Sequence, residues 1–169
     1  SVDAGLAIPD FRSAERTFQL LTQVAGRAGR GELPGRVILQ TSNPEHYAVR
    51  LASQQDYAQF YEKEILFRKS MRYPPFSALA NILVRDEVQE EALRKSTELE
   101  RLLRPEPKEM RVMGPAPAPV PRLKNEFRYQ LLLKSSDRKK LNETLHNIRR
   151  FAAQQKWGAT ALVIDVEGF

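Results

Sequence analysis

The 169 residues are 41% hydrophobic and 28% charged, with a formal net charge of +6, a balance that supports one folded domain or two small ones. No run of about 18 apolar residues occurs, so no helical membrane span and no membrane partner are expected. The chain has no cysteine, which excludes disulfides and a thiolate zinc site within it and fits a reducing compartment.

The first residues, Ser1-Val2-Asp3-Ala4-Gly5-Leu6, read as the exit of a strand cut from a longer protein. Pro9 places a loop over residues 6–11. Asp10 or Ser13 then caps a helix to about Ala25, with Phe18, Leu21 and Ala25 at helical spacing. Gly26 and Gly29 end this helix or loosen its last turn, and Leu33-Pro34-Gly35 is a turn. The run 36–41, Arg-Val-Ile-Leu-Gln-Thr, suits a buried strand. Asn43-Pro44 starts a helix to about Ala52, with Pro44 where no N–H is needed. A longer helix follows from about Gln54 to Met71, with Tyr57, Phe60, Tyr61, Ile65 and Phe67 or Arg68 as a broad apolar face.

Tyr73-Pro74-Pro75-Phe76 reads as a stiff extended segment, because two prolines fix φ and remove two donors. The domain boundary is placed there, giving residues 1–72 and 73–169. Beyond it the periodicity predicts a strand over 76–85, a helix over 87–104, strands over 110–115 and 127–135, a helix over 137–156 and a strand over 159–167. That order, βαββαβ, is the split-βαβ arrangement of an α+β domain, with two helices on one face of a sheet. The Pro-rich arm 114–121 is expected not to pair and to project. Asp86-Glu87-Val88-Gln89 begins like an acidic metal-binding box but reads as a strand end and helix cap.

Gln23-Val24-Ala25-Gly26-Arg27-Ala28-Gly29-Arg30 has the spacing Q-x-x-G-R-x-G-R. The glycines allow close backbone approach. Arginines three apart lie on one side of a helical turn, and their planar, permanently charged guanidinium groups suit phosphoryl oxygens. This segment resembles motif VI of superfamily-two helicases. The resemblance implies that Arg27 and Arg30 face the γ-phosphate of ATP across a cleft, with Arg30 as the preferred arginine finger and Gln23 coupling the cleft to the nucleic-acid track. Such a finger is worth roughly 10³–10⁵ in rate in related systems. No G-x-x-x-x-G-K-[ST] sequence is present, so the chain alone is not expected to hydrolyse ATP.

The flanks narrow the family. Ile8-Pro9-Asp10-Phe11-Arg12, the run 14–21, Gly35-Arg36-Val37-Ile38-Leu39-Gln40-Thr41, Arg72-Tyr73-Pro74-Pro75-Phe76, the arm 114–119 and Asp165-Val166-Glu167 resemble, in order, the C-terminal part of the primosomal replication-restart DNA helicases, the PriA family. The resemblance implies an ATP- and Mg2+-dependent 3′→5′ DNA helicase, cytoplasmic, that recognises stalled or repaired forks and assembles a primosome. It implies that residues 1–72 are an α/β remnant of the second RecA-like lobe and that 73–169 form an S10-like domain. Zinc is implied for the parent protein only, and no metal site is expected here.

The positive charge is confined. Residues 1–107 carry equal numbers of basic and acidic side chains, whereas 108–157 carry twelve basic and four acidic ones. A localised basic surface attracts phosphate backbones or acidic tails; a solvated helix face is the alternative. Arg122, Lys124 and Arg128 follow the arm, and Arg138, Lys139 and Lys140 open the last helix, where cations oppose the helix macrodipole by a few tenths of a kcal/mol each, roughly. These six are the candidate ligands for DNA phosphates or the acidic tail of single-stranded-DNA-binding protein. Tyr129 and Trp157 are candidates to stack on bases or, alternatively, core residues. His46 and His146 stand apart from any catalytic cluster. Two other readings stay open: another superfamily-two repair helicase or translocase, and a non-enzymatic DNA- or protein-binding module.

Overall fold

The computed structural model describes residues 2–8, 10–28, 36–104 and 107–167. They divide into two units, Ser1–Met71 and Arg72–Phe169.

Among its described residues the first unit contains helices and no strand: α1 (Val2–Leu6), α2 (Ser13–Ala28), α3 (Tyr47–Ser53) and α4 (Tyr57–Ser70). Residues 2–6 are therefore a short helix and not a strand exit. Asp3 accepts hydrogen bonds from the Thr41 hydroxyl (2.6 Å) and the Ser42 N–H (3.1 Å), which hold its carboxyl below the usual range. The expected buried strand at 36–41 is also absent. Those residues are irregular, and Ile38 is 83% exposed; a strand needs a ladder partner for its backbone groups, and no described residue of this unit supplies one.

The N-terminus of α3 is corrected too. Pro44 and Glu45 form a turn closed by the His46 N–H on the Asn43 carbonyl (3.1 Å), and the helix starts after His46, whose Nδ1 accepts the Ala48 N–H at 3.2 Å. A side-chain acceptor on a first-turn N–H outweighs the fixed φ of Pro44 as the starting signal. Asp56 caps α4 through the Gln59 N–H (2.9 Å). The broad apolar face expected on α4 shrinks to Phe60. Tyr57 and Tyr61 are exposed, while Glu64 is buried.

The second unit runs β1 (Ala78–Asp86), α5 (Gln89–Leu102), β2 (Met110–Leu123), β3 (Glu126–Ser135), α6 (Arg138–Gln154) and β4 (Leu162–Glu167). This is the βαββαβ element order read from the periodicity. The sheet is antiparallel in every pairing, in the order β2-β3-β1-β4. Period-two alternation turns Ala80, Ile82 and Val84 of β1 and Leu131 and Leu133 of β3 to one face. Against it pack Leu99 of α5 and Leu141, Leu145 and Ile148 of α6, which recur at helical spacing. Each fully buried Leu, Ile or Val contributes roughly 1.5–3 kcal/mol.

Two expectations at the unit's proline-rich segments fail. Pro74-Pro75 is a turn and not an extended strut: the Phe76 N–H bonds back to the Tyr73 carbonyl (2.9 Å), and Pro74 is buried. The arm 114–121 does not project unpaired. It lies within β2, where Ala116 faces Gln130 and Pro117 faces Tyr129, with register breaks on either side. β2 is an edge strand, so its prolines need no second partner. The ladder resumes at Arg122↔Phe127 and Leu123↔Glu126, and Lys124 and Asn125, both at positive φ (49° and 67°), close a two-residue turn.

Candidate nucleotide-facing and nucleic-acid interfaces

Helix α2 carries the arginine–glycine motif at its C-terminal end. Its start is fixed by Asp10, whose backbone carbonyl accepts the Ser13 N–H (3.0 Å) and whose carboxylate accepts the Arg12 N–H (2.9 Å) and pairs with Arg16 (2.8 Å). Its middle is pinned by Phe18, buried and stacked on Phe60 with ring centroids 4.0 Å apart. A buried network adds to this. Glu64 accepts from the Tyr47 hydroxyl (2.5 Å) and from Arg68 Nε (2.7 Å), and Arg68 Nη2 reaches Glu15 of α2 at 2.7 Å. Burial, with Glu64 beside it, pushes the Tyr47 phenol up. One guanidinium thus ties α2 to α4. The sequence reading missed this network because an i,i+4 Glu–Arg pair on a surface-like helix gives no sign of burial.

Gln23 and Arg27 are exposed at the far end of α2, and Gly26 faces open space, with nothing within 4 Å of where a Cβ would stand. The close backbone approach expected at Gly26 is therefore not made by the described residues. Gly29 and Arg30 lie outside them, as does the turn at 33–35. α2 also borders a groove of about 970 Å³ whose lining includes Leu20, Leu21, Val24, Val37, Ile38 and Leu39.

In the second unit the six predicted basic residues fall in two places. Arg122, Lys124 and Arg128 belong to the β2–β3 hairpin. The Arg122 guanidinium stacks over Phe127 (5.0 Å) and donates to Asn125 (2.8 Å), while Lys124 sits exposed in the turn. Arg128 stands directly opposite Arg85 across the sheet, with its Nε buried and unpartnered. Arg85 is neutralised by Glu126 (3.2 Å) and bonds the Thr160 carbonyl (2.6 Å). Like charges opposite one another destabilise a sheet, and Glu126 offsets this for Arg85.

Arg138, Lys139 and Lys140 occupy the first turn of α6, as predicted, but the opposition to the macrodipole is partly relieved within the fold. Asp137 caps the helix through the Lys140 N–H (3.0 Å), and Lys140 Nζ pairs with Glu109 at 2.9 Å. That bond lowers the Glu109 pKa and raises that of Lys140. Lys140 is thus mainly an intramolecular partner. Trp157 packs edge-on against Phe151 (5.8 Å) beside the core, and the Tyr129 hydroxyl accepts from Gln89 (3.3 Å), so both are held within the domain. Asp86, at the end of β1, accepts the Val88 N–H and pairs with Lys95 at 2.5 Å. No group of three or more metal-ligating side chains occurs among the described residues.

The second unit is a small α/β domain: one antiparallel sheet, two helices on a single face, and a basic hairpin and helix, joined in sequence to helices that carry an arginine–glycine motif. The model of the family described as Primosomal protein N C-terminal domain matches residues 69–168. The chain belongs to this family, the PriA proteins. It is 42% identical over 149 residues to the replication restart protein PriA of Bacillus subtilis, covering 88% of the chain and 18% of that protein. The Chlamydia pneumoniae protein of the same name is 37% identical over 146 residues, covering 86% of the chain and 20% of that relative. The Synechocystis one is 41% identical over 140 residues, covering 79% and 16%. The chain therefore spans about a fifth of the length of these relatives.

Proposed function

We propose that this chain is the C-terminal part of a replication-restart DNA helicase whose parent protein uses ATP and Mg2+ to move 3′→5′ and assembles a primosome at stalled or repaired forks. One observation carries the reading: the Gln23–Arg27 half of a helicase-like motif VI lies exposed at the end of a helix in a chain related to PriA along most of its length. Residues 1–72 are then the tail of a RecA-like lobe. The apolar groove beside α2 supports this, because a lobe helix buries one side on its neighbouring helices and the other on a sheet. The second unit is then the S10-like accessory domain, which binds DNA, the acidic tail of single-stranded-DNA-binding protein and other primosome proteins through its basic residues. Zinc belongs to another part of the parent, and the parent works in the cytoplasm.

In this reading Arg30, with Arg27, stabilises the charge that develops on the transferred phosphoryl group. Arg30→Ala in the full-length protein is expected to lower DNA-stimulated ATP turnover by roughly 10³-fold or more, with DNA affinity retained. Unchanged turnover rejects the arginine-finger assignment.

A further inference from the structure

α5 and α6 pack on the same face of the sheet and are both amphipathic, yet their outward charges are handled in opposite ways. On α5 two of the three cations are neutralised locally: Arg94 lies between Glu91 (2.7 Å) and Glu98 (2.5 Å), and Lys95 pairs with Asp86. On α6 the only acidic residue is Glu143. Lys139, Arg149 and Arg150 are exposed and have no ion-pair partner among the described residues; Arg150 donates only to the neutral amide of Asn147 (2.8 Å).

Helical geometry gathers these cations. At 3.6 residues per turn, Lys139, His146, Arg149 and Arg150 fall within one sector of about 100°. At a rise of 1.5 Å per residue, Lys139 and Arg150 stand about 16 Å apart along the axis. Between them the exposed side chains of this sector are Asn142 and His146, and Glu143 and Asn147 lie beside it. All are polar. These exposed side chains offer donors and charge, and none of them is apolar.

We propose that this outer face of α6, centred on Lys139, Arg149 and Arg150, is a sequence-neutral contact for the phosphate backbone of duplex DNA. The inference deepens the DNA-binding part of the function proposed above and extends it two helical turns and more beyond the first-turn cluster. The two ends of the stripe, about 16 Å apart, match the reach needed to touch phosphates on both sides of a groove about 12 Å wide. An acidic peptide that anchors through apolar side chains meets only polar ones between Lys139 and Arg150 in this sector.

The test measures binding of the 169-residue chain to a fluorescent duplex of mixed sequence by anisotropy, over a series of salt concentrations. Losing three phosphate contacts in Lys139→Gln/Arg149→Gln/Arg150→Gln is expected to reduce the slope of log K against log salt by about 2–3. Glu143→Gln, which removes the one acidic side chain on the helix, is expected to tighten duplex binding several-fold. It guards against misreading a poorly folded triple variant. An unchanged slope, or lost binding to a fluorescent acidic peptide with duplex binding intact, overturns the proposal. Failure of the unaltered chain to bind duplex at low salt overturns the DNA reading itself. ATP turnover enters neither arm, so the arginine-finger assignment stands or falls separately.

Discussion

The Arg68 network gives the most informative perturbation of the first unit. Arg68→Met removes a guanidinium whose side chain is 12% exposed and leaves the Glu64 carboxylate, 7% exposed, with the Tyr47 hydroxyl as its remaining bond. Breaking a buried ion pair by deleting one partner costs roughly 3–5 kcal/mol. The surviving Tyr47 bond, a hydrogen bond to a charged group worth about 1.5–3 kcal/mol, places the expected loss at the lower end, about 3 kcal/mol. Replacing both charges, as Glu64→Leu/Arg68→Met, removes the uncompensated charge. It is expected to recover much of that loss, but not all, because Tyr47 is left without an acceptor, which costs about 1–3 kcal/mol. Adding Tyr47→Phe recovers this remainder. Amide hydrogen exchange resolved by peptide is the suitable assay, since it reads α2 and α4 separately from the sheet domain. Protection in α2 and α4 should fall in the single variant and return stepwise in the double and triple. A double variant as unprotected as the single would show that burial of the charge is not what makes the network stabilising.

Two further outcomes follow from local geometry. Gly114 has φ +102°, and a Cβ there would meet the Gln130 carbonyl oxygen at 2.6 Å; Gly114→Ala is expected to destabilise the second unit by more than about 1 kcal/mol, read as an earlier thermal transition in Trp157 fluorescence. His46 caps α3 through an unprotonated Nδ1, and burial, partly offset by Glu64, lowers its pKa below 6.5. The unfolded chain therefore takes up the proton more readily than the folded one. The cap's stability is fully present above pH 6.5 and is lost as the pH falls through the lowered value. Exchange of the α3 amides should speed up from pH 7.5 to 5.5 beyond the intrinsic rate change, and His46→Asn, a good cap without a proton to gain, should abolish that excess.

The second unit was legible because its elements announce themselves twice. Ala80, Ile82 and Val84 alternate, Leu141, Leu145 and Ile148 recur at helical spacing, and the two patterns meet in one core. The first unit was less so. Val37, Ile38 and Leu39 have the composition of a buried strand, but strand formation depends on a partner, and composition carries no information about whether one is supplied. The arm at 114–121 misled in the opposite sense. Prolines forbid pairing in a central strand, whereas an edge strand tolerates them, and the Lys124-Asn125 turn that brings the arm back lacks the Asn-Gly or Asp-Gly signature that marks a hairpin in sequence. At the candidate sites, sequence located the motif and the basic segment. It did not separate Lys140, which Glu109 neutralises, from Lys139, which has no such neighbour.

That last distinction decides how the basic charge is to be interpreted. An excess of lysine and arginine is weak evidence for a polyanion when each cation has an acidic neighbour, since the pair presents little net field. α5 illustrates the case at Arg94 and Lys95, each held by a carboxylate. The excess on 108–157 survives this filter in only some of its members. Lys140 is removed by Glu109. Among the members without a carboxylate partner, Lys139, Arg149 and Arg150 share one face of one helix. A cation that folding leaves without a counter-charge gives up no ion pair when it binds a phosphate, whereas one already paired must first give up its partner. The binding contribution of each basic residue should therefore follow its lack of internal pairing and not its place in the sequence. Lys140→Gln is accordingly expected to alter duplex affinity much less than Lys139→Gln, although the two are adjacent in the chain.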